Sequence, residues 1–98
     1  MIQDGVIEAP NTTPPQTTIT KGPSGQTTDR TPTFRFLSSE SGSTFECKLD
    51  AKAWRSCVSP KTYALLAFGS HTFRARATDA TGNTDPSPAT RRFKIVGG

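Results

Sequence analysis

Residues 71–79 read HTFRARATD, with Phe73, Ala75 and Ala77 on one parity and Thr72, Arg74, Arg76 and Thr78 on the other. An apolar–polar alternation with period two is the mark of a strand buried on one face and wet on the other. The same scheme governs Thr33–Leu37, where Phe34 and Phe36 oppose Thr33 and Arg35. It recurs in Thr44–Leu49, where Phe45, Cys47 and Leu49 oppose Glu46 and Lys48. Thr90–Val96 closes the set, with Phe93 and Ile95 inward and Arg92 and Lys94 outward. Thr17–Thr20, Ala53–Cys57 and Lys61–Leu65 are shorter strand candidates. The segments KGPSG, DAKA and DATGNTDPSP supply the turns between them.

No stretch carries helical periodicity, so the expected fold class is all-β. Half-wet strands of this kind bury their apolar faces by stacking two sheets. The length and strand spacing predict a two-sheet antiparallel sandwich of about seven strands, immunoglobulin-like or fibronectin-III-like, with a small barrel as the structural alternative. With 98 residues, only 32% of them hydrophobic, the interior must be thin. Six phenylalanines against one Tyr and one Trp provide much of it.

Residues 1–16 are expected to form an extended Pro/Thr-rich linker, and residues 17–98 the sandwich domain. Ile2, Val6 and Ile7 offer side chains for pairing, although a terminus frays by default, and Asn11-Thr12-Thr13 matches an N-glycosylation sequon, which matters only in a eukaryotic secretory setting. MIQDGVIEAP has no apolar run of signal-peptide type, so export would make this chain part of something longer. No run approaches transmembrane length.

The two cysteines, Cys47 and Cys57, flank the DAKA turn. Cys47 lies on the inward face and Cys57 just past the return strand, so a regular hairpin brings them together. The alternative is a pair of buried free thiols in a reducing compartment. A bridge would imply an oxidising one. A redox CxxC is absent, and a single histidine, His71, leaves too few ligands for zinc. His71 reads as a hydrogen-bonded structural residue beside a turn. No cofactor and no catalytic set is indicated.

The blocks TPTFRFLSSESGSTFECKLD, WRSCVSP and LLAFGSHTFRARATDATGNTDPSPATRRFKI resemble bacterial immunoglobulin-like repeats of large secreted or cell-surface proteins. The resemblance runs from Pro14 to Val96. Its most specific parts are the Phe-Glu-Cys-x-Leu-Asp hairpin and the Gly-Ser-His-Thr-Phe block. It implies a sandwich, a Cys47–Cys57 bridge, an extracellular location, and work as a spacer, stalk or adhesive module beside neighbouring domains of one polypeptide. The chain departs from the pattern at Phe68, where an acidic or polar residue is usual before the glycine. An apolar residue there either packs on a neighbouring domain or caps the edge of the core, and the second is favoured.

Three surface features stand beside that reading. Lys48, Arg74, Arg76, Arg92 and Lys94 form one basic face if their strands share a sheet, a candidate polyanion site. The weightier account is a charged face that keeps the domain soluble. Trp54 is a candidate carbohydrate platform, although packing over the hairpin explains it as well. Asp79, Asn83 and Asp85 offer oxygens for calcium, but their spacing is not that of an EF-hand, and turn bonding is the simpler role. Cell-surface glycans or other proteins are therefore the conceivable partners besides adjoining domains. Nucleic acid is not expected, because no aromatics are interleaved with the cations.

Overall fold

The computed structural model describes residues 12–97. Ile2, Val6, Ile7 and Asn11, with most of the expected linker, lie outside the described residues. Among the described residues eight strands follow one another: β1 (Thr17–Lys21), β2 (Gly25–Thr27), β3 (Thr33–Ser38), β4 (Thr44–Leu49), β5 (Arg55–Cys57), β6 (Lys61–Thr62), β7 (Gly69–Thr78) and β8 (Ala89–Ile95). They build a three-stranded sheet in the order β1-β3-β6 and a five-stranded sheet in the order β2-β8-β7-β4-β5. Among the described residues no helix is long and apolar enough to cross a membrane.

The alternation read from the sequence is what the two sheets bury. Phe34 and Phe36 from β3 meet Cys47 and Leu49 from β4, Phe73 and Ala75 from β7, and Phe93 and Ile95 from β8. Phe34 stacks on Phe73 with ring centroids 4.0 Å apart, and Phe36 meets Phe45 edge-on at 4.9 Å. Offset and edge-to-face rings add to what area burial alone contributes. Phe68 is the exception among the six phenylalanines, at 59% exposed. The Arg30 guanidinium lies 4.5 Å from its ring centroid, while Arg30 Nε donates to the Leu66 carbonyl. Phe68 thus lies outside the core, under Arg30, and does not cap the core edge.

The expectation of purely antiparallel sheets is corrected by β2, which runs parallel to β8 with Gly25 beside Phe93 and Thr27 beside Ile95. The cause is a strand that changes sheets. β1 pairs antiparallel with β3 and carries a register shift between Ile19 and Lys21. Gly22-Pro23-Ser24 then carries the chain across, without reversal, to the edge of the other sheet. Because direction is kept, the second half must lie parallel to β8. Gly22 makes this crossing possible: its φ is +147°, and a Cβ would fall 2.4 Å from a Phe34 ring carbon.

The expected strand Lys61–Leu65 is also shorter. Only Lys61 and Thr62 pair with β3, opposite Phe34 and Thr33. Pro32 precedes β3 and has no N–H, so a regular ladder cannot continue past Thr33. Tyr63 and Leu66 still donate to the carbonyls of Pro32 and Arg30. Leu65 takes a φ of 51° between them and is 72% exposed.

Candidate functional site

The outer face of the five-stranded sheet gathers most of the residues singled out above. In the register of β4, β7 and β8, Lys48 lies opposite Arg74 and Glu46 opposite Arg76, while Arg74 also lies opposite Thr90 and Arg92 opposite Thr72. Lys94 lies opposite Ser70 on one side and beside Gln26 of β2 on the other. The three strands share a sheet, so the five cations lie on one face. Arg76 is held by Glu46 through contacts of 2.7 and 2.8 Å. Among the described residues, no carboxylate approaches Lys48, Arg74, Arg92 or Lys94 closely enough to form an ion pair.

Trp54 joins this face from the turn before β5. The Arg76 guanidinium lies 4.1 Å from its ring centroid and the Lys48 ammonium 5.5 Å. Cation–π contact explains the half-buried indole more directly than packing on the disulfide does. The tryptophan and the basic face, read separately in the sequence, are one surface.

Behind them the hairpin is clasped by Cys47–Cys57, with an S–S distance of 2.03 Å and Cα atoms 5.8 Å apart. Cys47 lies opposite Arg55, and Cys57 opposite Phe45, so the bridge runs diagonally across β4 and β5. Cys47 belongs to the core and Cys57 packs against it. A bond of this kind persists in an oxidising compartment.

His71 is positioned by two acceptors. Nδ1 lies 2.7 Å from Asp50 Oδ2, and Nε2 lies 2.7 Å from the Ala67 carbonyl oxygen. Only the imidazolium can donate to both. The Ala67 carbonyl raises the His71 pKa most. Burial opposes that rise, and the hydrogen bond and charge of Asp50 add to it. Asp50 also accepts from the Thr72 backbone N–H, and its own φ is 57°. Burial, then the charge of Asp50, push the Tyr63 hydroxyl up as well. Nε2 is engaged by a backbone carbonyl, so the pair is not arranged to activate a hydroxyl nucleophile.

Asp79, Asn83 and Asp85 do not converge. Asp79 accepts from the backbone and side chains of both Thr81 and Asn83. Burial raises its pKa, but the bonds from Asn83 and then Thr81 outweigh that and bring it to about 2. Asp85, 2% exposed, turns elsewhere and accepts from the backbone N–H groups of Thr17 and Ser87. Among the described residues no three His, Cys, Asp or Glu side chains group as metal ligands do.

A concavity of about 730 Å³ lies between residues 43–46, residues 56–59, Thr78 and Thr84. Its one ionisable group is Glu46, already bound to Arg76.

Sequence reasoning passed over Arg91. It shares the inward parity of Phe93 and Ile95, and its guanidinium donates to the carbonyls of Gly22 and Ile19 at 2.9 and 3.3 Å. The signal that could have found it is a cation at an inward strand position.

A scan against models of protein families matches none, and a search of curated proteins returns no match.

Proposed function

We propose that the chain is an immunoglobulin-like unit of an exported multi-domain protein, a non-catalytic spacer that holds its neighbours apart. The observation that supports this reading is the placement of the two ends of the fold. Thr17, where β1 begins, is tied to the far end of β7: its Oγ1 accepts from the Ala77 N–H, and its own N–H donates to Asp85. Ile95, where β8 ends, pairs with Gly69 at the opposite end of β7. Chain enters at one pole and leaves at the other, separated by the ten residues of β7, or roughly 30 Å at strand rise. Such polarity suits units strung end to end.

Two further features agree with it. Pro15 is fully buried and Gln16 accepts from the Ser39 backbone N–H, so the incoming segment is seated on the domain rather than hinged at Thr17. Leu65 and the Arg30-covered Phe68 are exposed on the loop that leads into Gly69, beside the exit. They offer an apolar surface to whatever follows.

Two copies joined head to tail test the reading by small-angle scattering. The maximum dimension should grow by about one domain length, roughly 30 Å or more. A particle of unchanged length, with the copies folded side by side, would defeat it.

A further inference from the structure

We propose that the outer face of the five-stranded sheet is a binding track for a linear anionic polysaccharide, running from Lys94 across Arg92 and Arg74 to Lys48 beside Trp54. Lys94 and Arg92 stand two residues apart on β8. Arg74 is the diagonal neighbour of Arg92 on β7, because it lies opposite Thr90, and Lys48 lies directly opposite Arg74. From strand rise and cross-strand spacing the path covers roughly 20 Å. It is oblique to the strands, and its charges come one after another as those of an extended polymer do.

The face is costly to the fold as it stands. Lys48 and Arg74 are like charges directly across an antiparallel pair, which destabilises a sheet. The nearby acids do not relieve them. Glu46 is engaged with Arg76, while Asp50 is engaged with His71 and the Thr72 N–H. A polyanion would supply the missing counter-charge along the whole path.

The surroundings favour a sugar polymer over a nucleic acid. Thr72, Thr90, Ser70 and Gln26 stand beside the cations, where they can bond hydroxyls and ring oxygens. The face is a sheet rather than a groove fitted to a duplex. Its single aromatic, Trp54, already carries the Arg76 guanidinium at 4.1 Å, so there is no series of free rings on which bases could stack. The disulfide agrees with an oxidising compartment, the setting in which anionic polysaccharides of envelopes and matrices are met.

Trp54 is the only tryptophan, so its emission reports on this face alone. The test titrates the oxidised protein with heparin-derived oligosaccharides of graded length, neutral dextran and single- and double-stranded DNA. The variants are Arg74→Ser/Arg92→Ser/Lys94→Ser and a control of equal charge on the three-stranded sheet, Lys21→Ser/Arg35→Ser/Lys61→Ser. Heparin fragments should shift the Trp54 emission, with affinity rising until the fragment spans about 20 Å. The sheet triple should lose ~10-fold or more in affinity and shed a salt-dependence slope of about 2–3, against less than ~2-fold for the control. Equal losses in the two triples would reduce the effect to net charge and overturn the proposal. Unmoved Trp54 emission, neutral dextran binding as tightly, or DNA competing on equal terms would each overturn it too.

Discussion

Removing the clasp between Cys47 and Cys57 is the perturbation whose size can be worked out most directly. The bridge closes a loop with a sequence separation of 10. On the chain-entropy model that restriction of the unfolded chain contributes about 2.8 kcal/mol at room temperature. Full burial of one phenylalanine contributes roughly 1.5–3 kcal/mol, so the clasp matches an entire core side chain. The hydrogen bonds of β4 and β5 remain in the reduced protein, and register keeps Phe45 opposite position 57. The loss should therefore fall on the unfolded state rather than on native packing. A domain of this size has an unfolding entropy near 2 cal/mol/K per residue, which converts 2.8 kcal/mol into a fall in Tm of roughly 15 °C.

Calorimetry on the oxidised protein, the fully reduced protein and Cys47→Ala/Cys57→Ala measures it. The last two should melt alike, and the urea m-value should rise because the freed chain exposes more surface. A difference below ~3 °C, with an unchanged m-value, would refute the reasoning. The hairpin would then be closing its loop equally well without the covalent bond.

Three further outcomes follow from particular contacts. His71 has a raised folded pKa, so its contribution is complete below the ordinary histidine value near 6.5 and fades as pH climbs through the folded value. Tm should fall over that interval, His71→Gln should flatten the profile, and NMR titration of the ring should show the pKa dropping in Asp50→Asn. Asp79 has the opposite sign: its stabilisation is present above the ordinary aspartate value of 3.8 and lost as pH falls toward about 2. Asp79→Asn should remove that part of the acid transition, as followed by circular dichroism. Gly22→Ala should cost about 1–3 kcal/mol in urea denaturation, since the new methyl meets the immobile ring of Phe34. A shift under ~0.5 kcal/mol would show that the crossing tolerates a side chain.

Period-two alternation carried most of the fold. Parity alone put Phe34, Phe36, Phe73, Phe93 and Ile95 inside and turned Lys48, Arg74, Arg76, Arg92 and Lys94 outward, while the strand order of the larger sheet is what joins those cations into one face. The sheet-changing first strand was illegible for a physical reason. Gly25-Gln26-Thr27 is short and mostly exposed, so no apolar stripe marks it, and its partner is fixed by distant residues 93–95. Asp50, Asp85 and Arg91 were hidden differently. Each does its work through a backbone group brought near by the fold, and a sequence records the side chain but not the carbonyl or amide it meets. Trp54 was visible as a residue, but its neighbours Arg76 and Lys48 became visible only through the hairpin register.

These hidden bonds explain how a sandwich with so little interior remains one body. The long central strand β7 presents two alanines, Ala75 and Ala77, where larger side chains would fill the gap between sheets. Dispersion and area burial across that part of the interface are correspondingly small. Directional bonds replace them along β1, the edge strand of the smaller sheet. Arg91 reaches from β8 to the carbonyls of Ile19 and Gly22, while Thr17 exchanges bonds with Ala77 and Asp85 at the other end. Polar groups that are satisfied in this way fix position more sharply than apolar contact does, because each has a preferred direction. The edge strand is thereby fastened to the larger sheet at both poles without touching its outer face. That face is left free to carry charge at a density the core could not otherwise support.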